Sequence, residues 1–328
     1  MDDAKTASAD AGSRRATIAA FLSNVGVATA KFVAFFFTGS ASMLAEGVHS
    51  VADTANQGLL LFGGFRARRR ATQRHPFGYG RERYFWAFVV AMILFSGGAL
   101  FALVEGEEKL RQPHELTRYP WAAGVLMVSI VFEAISLRTA VRESRASKTN
   151  EESWLGFIKR TPAPELAVVL LEDTGALIGL VIALIGTTAA EITGRTRFDA
   201  LGSIGIGLLL GAIALTLAKE MKSMLIGESA AEEDLRSICD AILDQDEIQE
   251  ILDLRTEQLG PDSILVVGNV TVRSSSLDTA NDVMTRTAAS IRNAVPSAQL
   301  VYLLPHASTA SRRDHSGTDS SGPDSGAF

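Results

Sequence analysis

Six apolar runs, each close to 20 residues long, constrain this chain more than any other feature. They cover roughly Thr17–Thr38, Ala41–Gly63, Tyr84–Val104, Tyr119–Ala140, Leu166–Ala189 and Phe198–Ala218. About 20 apolar residues in a helix cross the roughly 30 Å of hydrocarbon in a bilayer. Lipid offers no hydrogen bonds to a backbone, so such runs must close their bonds internally as helices. The fold predicted is an α-helical membrane protein with six transmembrane helices. Met1–Arg15 is polar and leads into the first run without a small-residue cleavage site, which predicts an uncleaved first span rather than a signal peptide.

Loop charges orient the bundle. Arg66, Arg68, Arg69, Arg70, Arg74, Arg81 and Arg83 crowd the second-to-third loop, and Arg142, Arg145, Lys148, Lys159 and Arg160 follow the fourth run. The third-to-fourth loop instead mixes Glu107, Glu108 and Glu115 with Lys109, Arg111 and Arg118. Lys and Arg in short loops mark the cytoplasmic side, so both termini are expected there, in a bacterial-type inner (plasma) membrane. Glu105 reads as solvated at the water interface, and Glu133 as an ion pair with Arg138.

After residue 226 the pattern changes. Glu232–Asp244 reads as an amphipathic helix with Leu235, Ile238, Ile242 and Leu243 on its apolar side. Ile248–Gln258 and Ser263–Arg273 alternate like strands around a Leu259-Gly260-Pro261-Asp262 turn, Thr279–Ala294 reads as a helix capped by Asp278, and Ala298–Leu304 as a last strand. This order predicts a small α+β (ferredoxin-like) cytoplasmic domain. The partition expected is a polar tail at 1–15, a transport domain at 16–226, the α+β domain at 227–305 and a disordered tail at 306–328.

Several classes drop out. The lone Cys239 removes an internal disulfide and any multi-cysteine zinc cluster within one chain, and reads as a small packed residue. No basic stripe with interleaved aromatics points to nucleic acid. No nucleophile–base pair or Gly-rich phosphate loop outside the membrane points to an enzyme, and no prosthetic group is expected.

The second run nevertheless carries Glu46, His49, Asp53 and Asn56, spaced three, four and three apart and so on one side of a helix. Ionisable groups in hydrocarbon are costly, and a stripe of them marks a functional path. His49 and Asp53, one turn apart, can share one divalent cation. In the fifth run Glu172 and Asp173 are adjacent carboxylates pointing about 100° apart, so one can face the second span and the other a different neighbour. The competing reading makes the stripe interhelical glue, the membrane part an anchor and the soluble domain the working scaffold. A channel is disfavoured, because a narrow carboxylate–imidazole site holds divalent ions too tightly for fast conduction. His75-Pro76-Phe77-Gly78 reads as a turn into the third span rather than a second metal site, since its arginine-rich setting repels cations.

SASMLAEGVHSVADTANQ, LLEDTGALIG and HPFGYGRERYFW, with six spans and an α+β domain behind them, resemble the cation diffusion facilitator family, within it the branch containing mitochondrial zinc transporter nine. The resemblance covers roughly residues 16–305. It implies a homodimeric antiporter that exports divalent metal, foremost Zn²⁺, in exchange for protons by alternating access. Mn²⁺, Fe²⁺ and Co²⁺ are the other candidates. It also implies two ligands from span two and two from span five, four residues apart in each pair. His49 and Asp53 match the first pair and Asp173 half of the second, while its partner position holds Val169, which cannot bind metal. Glu172 is the nearest substitute and Glu46 another candidate. Ligands must shed protons to bind metal, which makes His49, Asp53 and Asp173 the coupling groups.

Overall fold

A computed structural model describes residues 41–112, 119–148, 153–161, 163–273 and 276–307, together with positions 21, 22, 24–26, 28–30, 32, 33 and 36, all eleven of them helical. Most of the expected first span, the 1–15 tail and the tail beyond Ala307 lie outside the described residues. The chain divides into two compact units, Met1–Glu228 with Leu259–Asp262, and Ser229–Gln258 with Ser263–Phe328.

The first unit is helical: α1 (Ala41–Ala67), α2 (Glu82–Arg111), α3 (Tyr119–Ser147), α4 (Trp154–Arg160), α5 (Pro164–Thr193) and α6 (Arg197–Ile226). Among the described residues four stretches are long and apolar enough to cross a membrane: Glu82–Arg111, Ala122–Arg145, Pro164–Thr193 and Arg197–Ile226. Their outer faces carry large apolar side chains open to the surroundings, among them Phe101, Val131, Ile185, Leu208 and Leu215, as lipid contact requires. The helices outrun the apolar runs that predict them. A 30-residue helix is about 45 Å long, and its hydrogen-bond ladder continues past the hydrocarbon into water. α5 stops where Gly194 takes a left-handed φ of 65°. The short α4 was not anticipated; Ser153 caps it by accepting the Gly156 N–H at 3.0 Å.

Helix α2 loosens to π-type hydrogen bonding over Leu94–Leu100 and runs along α6. The two helices touch almost backbone to backbone. A Cβ on Gly207 would lie 2.9 Å from the Leu103 amide nitrogen, and one on Gly106 would lie 2.9 Å from that of Ile204. Gly207→Leu is therefore expected to force the helices apart and to cost roughly 1–3 kcal/mol, the range for overpacking. Thermal unfolding in detergent measures it, with Gly97→Ala, which meets nothing within 4 Å, as the silent control. Near the same seam Lys109 reaches Asp199 at 3.0 Å and Glu105 at 3.2 Å, so Glu105 is bridged as well as solvated.

The second unit stacks α7 (Glu232–Leu243) and α8 (Leu277–Ala294) on a sheet of order β1–β2–β3, from β1 (Ile248–Gly260), β2 (Ser263–Val272) and β3 (Leu300–Ala307). β2 and β3 are parallel, with Val267 opposite Tyr302 and Asn269 opposite Leu304. Ile238, Ile242, Ile264, Val266, Val270, Val283 and Ile291 form the buried core. Three readings change. Leu243 is exposed and Ala241 takes its place, because 238, 241 and 242 share one helical face while 243 lies about 100° further round. Ser276, not Asp278, caps α8, its hydroxyl accepting the Thr279 N–H at 3.2 Å. β3 continues through Ala307, so His306, expected in the tail, is paired opposite Thr271.

Candidate metal cation site

Helices α1, α3 and α5, together with Asn24 from the helical residues before α1, line a cavity of about 30 Å³ whose walls are Asn24, Ser50, Asp53, Gln57, Phe132, Glu133, Ser136, Glu172, Asp173 and Ala176. Its α1 side follows from helical spacing: positions 50, 53 and 57 recur at three and four residues and share one face. Asn56, the next residue round, is buried and donates its amide N–H to Glu172 Oε1 at 2.8 Å. This bond ties α1 to α5.

The neighbouring carboxylates separate as the 100° rotation requires. Glu172 turns to α1 through Asn56, while Asp173 turns to α3 and accepts the Ser136 hydroxyl at 2.8 Å. Both are buried, and both still line the one cavity. Glu172 Oε2 is buried without a hydrogen-bond partner among the described residues. Asp53, Glu133, Glu172 and Asp173 thus crowd a space large enough for a water or two. No Lys, Arg or His stands among the described residues that line it. Like charges this close in a low-dielectric interior demand positive charge, from a cation or from protons.

The side chains of Glu46 and His49 lie outside the described residues. Among the described residues no three His, Cys, Asp or Glu side chains converge on a single ion position. Val169, where the resemblance asks for a ligand, packs among apolar side chains and lines a separate cavity one turn from Asp173. Glu133, expected to pair with Arg138, lies on the cavity wall instead. The signal for it was Ser136 three residues on, which places both on one face of α3, whereas Arg138 projects about 140° away. Ser50 and Gln57 were also missed, although each sits on the stripe's face.

His75 shapes a turn, as expected. Its N–H reaches the Thr72 carbonyl at 3.0 Å, its carbonyl accepts the Gly78 N–H at 3.1 Å, and Gly78 adopts a φ of 85°. Among the loop arginines, Arg66 reaches Glu82 at 3.0 Å, Arg83 reaches Glu165 at 3.5 Å and Arg81 donates to the Leu225 carbonyl at 3.5 Å. In the second unit, burial and the adjacent Asp240 push the Cys239 thiol up, which disfavours the thiolate a metal needs.

A model of the cation efflux transmembrane domain matches residues 17–226. The chain belongs to the cation efflux family. This is the cation diffusion facilitator family of the sequence resemblance, and the chain belongs to its zinc transporter nine-like branch. The chain is 32% identical over 231 residues to the human proton-coupled zinc antiporter SLC30A9, mitochondrial, covering 70% of this chain and 41% of that protein. It is 32% identical over 255 residues to metal tolerance protein C4 of Arabidopsis thaliana, covering 77% and 56%. To the cation-efflux pump FieF of Klebsiella pneumoniae it is 28% identical over 247 residues, covering 75% and 77%. The chain spans less than half the length of the human relative. As a member of this family it is a multi-pass integral membrane protein.

Proposed function

We propose that this cation efflux protein exports divalent metal, Zn²⁺ foremost, in exchange for protons by alternating access. The observation that carries the reading is the shared cavity in which Asp53 of α1 meets Glu172 and Asp173 of α5, with Asn56 bonded across. His49, one turn from Asp53, completes the ligand set, and Glu46 stands one step further along the same stripe. Metal binds the deprotonated groups and protonation ejects it, so His49, Asp53 and Asp173 couple the two flows. The relatives named as a zinc antiporter and an efflux pump support both the cargo and its direction. Glu133 and Glu172 make the donor set rich in oxygen, which favours Mn²⁺ or Fe²⁺ as the second reading of the cargo.

Six spans, with the first near residues 17–38, put both termini in the cytoplasm of an inner (plasma) membrane. The ferredoxin-like domain pairs two copies, and Val267, Tyr302 and Leu304 form an uncovered apolar sheet face for that purpose.

Purified protein in liposomes, given an imposed pH gradient and a panel of Zn²⁺, Mn²⁺, Fe²⁺, Co²⁺ and Cd²⁺, should move Zn²⁺ fastest and move protons the other way. Metal flux that ignores the pH gradient would refute the exchange. Faster movement of Mn²⁺ or Fe²⁺ would hand the cargo to the second reading.

A further inference from the structure

A second cavity, also of about 30 Å³, lies on the same α1–α3–α5 seam toward the arginine-rich end of the bundle. Gln57, Leu60, Ala140, Glu143, Ser144, Glu165, Leu166 and Val169 line it. Gln57 also lines the first cavity, so one side chain stands between the two. The wall has no polar economy of its own. Gln57 is 4% exposed and Ser144 1% exposed, yet Gln57 Oε1 and Ser144 Oγ have no hydrogen-bond partner among the described residues. Buried polar oxygens left bare are rare and call for a water or an ion. The two carboxylates beside them decide which. Arg83 engages Glu165 at 3.5 Å, whereas Glu143 forms no ion pair among the described residues. An amide carbonyl, a hydroxyl and a carboxylate with no ion pair among the described residues are a hard-oxygen cation surface.

We propose that this cavity is a staging site, in which Glu143, the Gln57 carbonyl and the Ser144 hydroxyl hold a divalent cation before it passes Gln57 to Asp53, Glu172 and Asp173. The site rests on the transport reading above. The space is too small for a fully hydrated ion, so protein oxygens replace part of the hydration shell here. Val169 then has a role its position in the family pattern hides: its apolar side chain keeps the stations distinct, so that metal stops at two places instead of spreading over one.

The test is Zn²⁺ flux into liposomes by the full chain against Zn²⁺ concentration. Glu143→Gln and Ser144→Ala are each expected to raise the half-saturating concentration, by about tenfold for the lost carboxylate charge, with the maximal rate close to wild type. Glu143→Asp should restore much of the loss. Ser144→Ala keeps the packing and carries the test if Glu143→Gln fails to fold. Unchanged half-saturation in both variants overturns the staging site, and so does a drop in maximal rate alone, the mark of less folded protein. If the wild type itself moves no metal, the transport reading fails first, a result distinct from either.

Discussion

Asp53→Asn and Asp173→Asn should each cut metal flux by roughly 100-fold or more, since even residues that only support a ligand are worth about 10–100-fold in metal affinity. Both side chains line the cavity and contribute negative charge to it, and asparagine keeps the size while removing the charge. Asp173→Asn also keeps a hydrogen-bonding partner for Ser136, which lies 2.8 Å away, so the loss reads out charge rather than folding. His49→Ala is expected to behave the same way. Zinc uptake into liposomes under a fixed pH gradient measures all three. Wild-type flux in both aspartate variants would mean that the cation travels elsewhere.

Asn56→Leu should be the most destabilising single change at the site. Glu172 Oε1 accepts the Asn56 amide at 2.8 Å, and Oε2 already lacks a partner among the described residues. Removing Asn56 leaves a buried carboxylate without its one donor among the described residues, at a cost of roughly 3 kcal/mol. Adding Glu172→Leu takes away the stranded carboxylate, and the double variant should regain much of the lost thermal stability. A double-mutant cycle in detergent decides the matter. Strictly additive losses would show that the pair is not coupled.

The described helices and the α+β elements were legible because their signals are local. Apolar runs mark helices by length, alternation marks β2, and the spacing of Asp53 and Asn56 places them on neighbouring positions of one face whatever surrounds them. The ends of α2, α5 and α6 were not legible, because hydropathy reports the lipid boundary while the hydrogen-bond ladder ends elsewhere. The cap of α8 escaped for a different reason: Ser276 and Asp278 both suit a cap, and the extended φ of −137° at Ser276 chose between them.

By itself the sequence determined that α1 carries a polar stripe, that α5 carries two carboxylates, and that position 169 holds no ligand. Only the tertiary structure decided that Glu172 belongs to Asn56, that Asp173 belongs to Ser136, that Glu133 joins them, and that Gln57 separates two cavities. Each of those facts depends on how far a helix is turned about its axis and slid along its neighbour. Helical period leaves both free. Packing settles them, through contacts such as Gly106 and Gly207 on the α2–α6 seam that lie about a hundred residues apart in the chain.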